Sequence, residues 1–203
     1  MAVRSSLSKY EFSWARLVSD VLSPPVVWAA LSFPIAGHVA STSGQMLLWA
    51  SIYSIFVCVI PVLFIAYMVK RGRITDIHIR IRRQRILPFV VSIICTAVAV
   101  TLLLIVGAPT LVPMFALFSL LQMAIMLSIT TVWQISMHAM GITSAVIVIG
   151  ALFGVAMGIL FAPLIFVVGA ARIKLRRHTL AQVIAGGLVG GSMTALLFTL
   201  VNP

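Results

Sequence analysis

The run HAMGITSAVIVIGALFGVAMGILFAPLIFVVGAAR, from His138 to Arg172, decides the fold. It carries no charge until its last residue. Drawn as one helix it would be about 50 Å long, well beyond a hydrocarbon core of roughly 30 Å. Broken near Gly154–Gly158, it gives two helices of about 16 residues, short for a crossing but sufficient. The broken form returns Arg172 to the side of His138. It also gathers the N-terminus and every basic cluster on one face, which the positive-inside bias makes cytoplasmic.

Composition sets the frame around that run. Of the 203 residues, 62% are hydrophobic and only 8% charged, with a mean hydropathy of +1.21. A water-soluble domain needs roughly 25% charged residues to cover its surface. The chain is therefore expected to be solvated by lipid, as an all-α integral membrane bundle of about six to seven transmembrane helices. The net charge of +11 leaves too little polar surface to track nucleic acid, and reads instead as topology or phosphate binding. Cys58 and Cys95 sit in apolar runs, as small buried thiols rather than a disulfide.

Residues 1–20 mix Arg4, Lys9, Glu11, Arg16 and Asp20 with Tyr10, Phe12, Trp14 and Leu17, the pattern of an interfacial amphipathic segment. Residues 21–203 form a single transmembrane domain. Ser23-Pro24-Pro25 starts a first span reaching about Ala40, kinked near Pro34. Gln45 to Val69 gives a second, Pro88 to Val106 a third, and a fourth runs on from Pro113 to Val132. The last span ends near Val201. Trp14, Trp28, Trp49 and Trp133 suit an aromatic belt. Gly150, Gly154 and Gly158, and the pairs Gly186/Gly190 and Gly187/Gly191, predict close helix packing within the bundle, with a homodimer interface as the alternative.

Polar groups beside apolar spans are costly and mark functional sites by default. Three clusters stand out: Arg80 to Arg85, closed by Pro88; Ser136-Met137-His138; and Arg172 to Gln182. They supply guanidinium groups, two imidazoles, a hydroxyl and an amide. Asp76 is the one carboxylate near them, so no acidic pair for a hard metal is present, and no cofactor is called for. The set fits an oxyanion, above all a phosphate: arginine forks bind its oxygens, a neutral histidine can attack phosphorus, and a second can protonate the leaving oxygen.

These residues resemble the type 2 phosphatidic acid phosphatase superfamily of membrane lipid phosphatases. Ala171-Arg172, five residues, His178, three residues and Gln182 are similar to its third motif, with Gln182 where the family has aspartate. Ile135-Ser136-Met137-His138 resembles its second motif without the proline and glycine. Arg85 with Pro88 approximates the end of the first, with His78 at its lysine position. The resemblance implies a metal-independent phosphatase domain acting on a lipid phosphate or diphosphate monoester. In it His178 is the nucleophile that becomes phosphohistidine, and His138 is the acid and then the base. Arg172, Arg85, Arg82 and Ser136 hold the phosphoryl oxygens, and Gln182 orients His178. The missing aspartate implies an alternative, an inactive phosphatase-like fold serving as a structural or lipid-binding subunit of a membrane complex.

The plain structural readings stand beside these. Thr179-x-x-Gln182 is also a capping box opening the last helix. Lys70, Arg71, Arg73, Lys174, Arg176 and Arg177 are headgroup anchors, each worth about 1 kcal/mol near an anionic surface. His38 and His78 are interfacial. The partners expected are membrane lipids and a lipid phosphate substrate, with a homodimer or complex subunits beyond them. The place is the cell membrane.

Overall fold

The run from His138 to Arg172 does break, and Gly154 is the hinge. Helix α7 (Met137–Phe153) ends there, at a φ of +95° that favours glycine. Two short helices follow, α8 (Val155–Phe161) and α9 (Pro163–Lys174). They fold back on α7 so closely that a Cβ on Gly158 would lie 3.0 Å from the Gly150 Cα. Arg172 is thereby returned to the level of His138.

The computed structural model describes residues 13–77, 79 and 81–201. His78, Arg80 and residues 1–12 of the interfacial segment lie outside the described residues. The remaining elements are α1 (Trp14–Val21), α2 (Pro24–Val39), α3 (Ser43–Tyr53), α4 (Ile60–Lys70), α5 (Ile86–Ile105), α6 (Leu111–Val132) and α10 (Leu180–Val201). A π-helical segment, Ser54–Val59, joins α3 to α4 without a break, and a 3₁₀ turn, Arg82–Arg85, leads into α5. The structure is 83% helix, with no strand among the described residues.

Five helical stretches are long and apolar enough to cross a membrane: Ser43–Lys70, Arg82–Ile105, Leu111–Val132, Val155–Lys174 and Leu180–Val201. The pair α1–α2, bent by 46°, makes a sixth if taken as one span. The seventh rod, α7, has 17 residues, about 25 Å by the helical rise, and falls short of that length. The expected tally of six to seven crossings included it. Large apolar side chains such as Leu63, Ile105, Ile159, Phe166 and Leu188 stand on the outside of the bundle. Such continuous apolar exterior belongs to proteins that bury it in lipid or in a partner.

The core runs from α2 to α10. Phe115 of α6 stacks on Tyr53 with centroids 4.9 Å apart and tilts against Trp28 at 6.2 Å. The Tyr53 hydroxyl meets Ser119 at 2.7 Å, so its polar tip is satisfied where it is buried. The paired glycines of α10 are used within the chain. A Cβ on Gly186 would strike the Ser136 carbonyl, and one on Gly190 would strike that of Met140. This lets α10 lie directly on the α7 backbone, and the Ser136 amide donates to the Gln182 carbonyl at 2.9 Å. Second and third clusters are thus joined by main chain.

The segment read as interfacial contributes α1, which packs on α9 and buries Ala15 and Ser19. Lys174 Nζ lies 4.9 Å from the Trp14 ring, a cation–π contact at the outer edge of that seam.

Candidate functional site: a basic cavity at one end of the bundle

A cavity of about 470 Å³ opens at the end where α2, α5, α7 and α10 begin. Arg85, His138, Arg172 and His178 all line it, with Asp20 at the end of α1. They come from segments far apart in sequence. Away from this charged mouth the wall turns apolar, with Val57, Pro61 and Ile65 facing Phe89 and Met123. Phe89, Ser92 and Thr96 line it along one face of α5, so the cavity runs roughly 10 Å down that helix. The π-helical segment sets Val57 and Cys58 into the opposite wall.

His178 sits in the short turn between α9 and α10, which Arg176 makes possible with a left-handed φ of +51°. The side chain is only 7% exposed. Gln182 Oε1 is fixed by the Thr179 amide, which donates to it at 3.0 Å, while the Gln182 amide donates to Thr179 Oγ1 at 3.3 Å. That is the capping box the spacing predicts. The same Oε1 lies 3.3 Å from His178 Nδ1. Because that oxygen can only accept, Nδ1 is the protonated nitrogen and Nε2 carries the lone pair. Capping and orienting coexist in one residue. Burial first, then the charges of Arg172, Arg85 and Arg177, push the His178 imidazole down to about 4, against an upward pull from Gln182. The ring is neutral near pH 7.

Arg172, 2% exposed, donates from Nη1 to Ser19 Oγ at 2.6 Å, and its Nε is buried without a partner. A buried, unsatisfied guanidinium N–H carries a desolvation cost that the rest of the site sustains. Arg85 is clamped from two sides. Its Nε donates to the Ile79 carbonyl at 2.8 Å, and Gln134, with its amide oxygen turned toward the guanidinium, accepts from Nη2 at 2.7 Å. Ile79 adopts a φ of +45°, costly for a β-branched residue, to present that carbonyl. His138 Nε2 lies 3.0 Å from the Ser19 carbonyl and 3.3 Å from Ser19 Oγ.

Two residues expected at the phosphate stand elsewhere. Ser136 is fully buried and caps α7, its Oγ accepting from the Ala139 amide at 3.3 Å, and it does not line the cavity. Arg82 is exposed on the 3₁₀ turn, outside the lining. Asp76 lies 3.7 Å from Arg177, so it serves that arginine while Gln182 serves His178. Ser19 and Gln134 were not anticipated. Their role depends on contacts across more than a hundred residues for Ser19, and on a side chain in an unremarkable polar patch for Gln134. No group of three His, Cys, Asp or Glu side chains suited to a metal comes together among the described residues.

Compared with known protein families, with curated proteins and with solved structures, the chain matches none of them.

Proposed function

We propose that the chain is a multi-pass membrane protein and a divergent type 2 phosphatidic acid phosphatase-like enzyme. It cleaves a lipid phosphate or diphosphate monoester at the basic end of the bundle. The observation that carries this reading is one cavity lined by His138, His178, Arg85 and Arg172 at its mouth and by apolar side chains below. An amphiphile with an anionic head and a hydrocarbon body matches both halves.

The chemistry follows from the tautomer. With Nδ1–H held by Gln182, His178 Nε2 directs a lone pair at the terminal phosphorus, and the bond to the leaving oxygen, the lipid's own in a monophosphate or the bridging one in a diphosphate, breaks as the N–P bond forms. His138, doubly protonated at the outset, gives the leaving oxygen a proton, then takes one from the water that cleaves the phosphohistidine. Arg172 and Arg85 compensate charge on the phosphoryl oxygens, the largest service fixed cations can give such a transfer.

Gln182 favours a second reading. An amide fixes the tautomer but brings no negative charge to stabilise an imidazolium, and a phosphate-binding protein without turnover would need nothing more. As such it would be a structural or lipid-binding subunit of a membrane complex. Purified protein incubated with phosphatidate, a polyprenyl diphosphate or phosphatidylglycerophosphate, with divalent metal chelated, separates the two. Release of inorganic phosphate that His178→Ala abolishes supports the enzyme. Binding of those lipids without release supports the second reading, and release undiminished in His178→Ala overturns the nucleophile. Membrane sidedness belongs to the same proposal, with the N-terminus and basic end in the cytoplasm of a cell-membrane protein.

A further inference from the structure

Helix α1 delivers one side chain to the cavity end that no motif accounts for. Ser19 is 1% exposed, and its two oxygens meet two of the groups that line the cavity. Ser19 Oγ accepts from Arg172 Nη1 at 2.6 Å, a short charge-assisted bond. The Ser19 carbonyl belongs to the last turn of α1, where helical carbonyls lack intrahelical donors. His138 Nε2 approaches it at 3.0 Å. A carbonyl can only accept, so Nε2 carries a proton, shared with Ser19 Oγ at 3.3 Å. Nδ1 is then the nitrogen of His138 that gives up a proton from the doubly protonated ring and takes one back.

We infer that Ser19 is a positioning residue of the phosphate site. It holds the Arg172 guanidinium in place at the cavity wall through Oγ, and its carbonyl fixes the His138 tautomer. Helix α1 is on this account a wall of the site, seated on α9 by the Trp14–Lys174 contact at one point and by Ser19 at the other. The inference rests on the phosphate-binding reading above, though not on turnover.

The test uses inorganic phosphate as the probe, binding to the full chain in detergent, followed by calorimetry. Ser19→Ala should weaken phosphate binding about tenfold, as expected for a lost hydrogen bond to a charged group. In an Arg172→Lys background the same change should add almost nothing, because the fork it orients is gone. That non-additivity is a signature a purely structural serine does not give. Should the alanine chain fail to fold, Ser19→Cys keeps nearly the same volume with a weak acceptor and should show the same coupling at smaller amplitude. Nitrogen NMR of the wild type should find His138 protonated at Nε2. Equal weakening in both backgrounds, no weakening in either, or an unprotonated Nε2 overturns the role of Ser19 while the phosphate site stands. Absence of phosphate binding by the wild type overturns the site itself, and this inference with it.

Discussion

The two ends of the bundle are built on opposite principles. At one end meet Asp20, Asp76, the arginines of the 82–85 turn, and Arg172 to Arg177, arranged around a cavity. At the other, α2 passes to α3, α5 to α6 and α7 to α8 through turns without a single charge; residues 21–69, 86–171 and 178–203 contain none. The uncharged end relies on backbone devices, Gly107 at φ +68° and Gly154 at φ +95°. The charged end accepts a strained Ile79 and a buried Arg172 with an unpaired N–H. One end therefore spends stability on polar groups held open, and the other only returns the chain. That asymmetry is the one the proposed ligand site requires.

Substitutions at the two ends should separate these roles. The largest effect belongs to His178→Ala, which should lower phosphate release by about 10³-fold or more, measured against a panel of lipid phosphates. Next is Gln182→Asp, expected to raise turnover roughly tenfold, because a carboxylate at the same place stabilises positive charge on His178. It should also raise the His178 pKa, moving the acid limb of the pH profile upward. A fall in activity together with an unmoved limb would show that Gln182 only caps α10.

The pH dependence of the unmodified protein follows from the same ring. With His178 pushed down to about 4, the acid limb it contributes to kcat/KM should lie near that value rather than near the usual 6.5. Between those two values the unfolded chain binds the proton and the folded chain does not. Stability should rise with pH across that window and stay flat above it. Thermal unfolding at pH 4.5 and 7.5, with and without His178→Ala, reads the contribution directly.

At the uncharged end, Gly154→Ala should cost about 1–2 kcal/mol of stability through its left-handed backbone, with phosphate affinity unchanged. Loss of affinity in that variant would show the two ends to be coupled. The smallest effect is reserved for Arg82→Ala. Exposed and outside the cavity, it should change phosphate release by less than about twofold.

Much of this contrast is legible in the residues themselves. The break at Gly154 follows from comparing the length of an apolar run with a bilayer, and the capping box from the spacing of Thr179 and Gln182. The convergence of Arg172 and His178 with His138 follows from requiring the basic clusters to share a side. Local periodicity cannot see long-range polar partners. Ser19 sits in a segment whose amphipathic pattern points to an interface, yet it reaches Arg172 and His138. Ser136 carries the right hydroxyl beside the right histidine, but its oxygen is consumed by the first turn of α7. Arg82 and Arg85 look alike in a basic run, and only the turn before α5 decides which faces inward. The π-helical segment, which changes the register of Val57 and Cys58 against the cavity, has no signature in an unbroken apolar run.

On the proposed mechanism, His178 forms a covalent bond to phosphorus within this cavity. Rapid quenching of the protein with a lipid phosphate labelled at phosphorus, followed by peptide mass analysis under alkaline conditions that preserve phosphohistidine, tests it most directly. A single phosphorylated histidine, His178, should appear before free phosphate and be absent in His178→Ala. Turnover with no label on His178, or label on another residue, would contradict it.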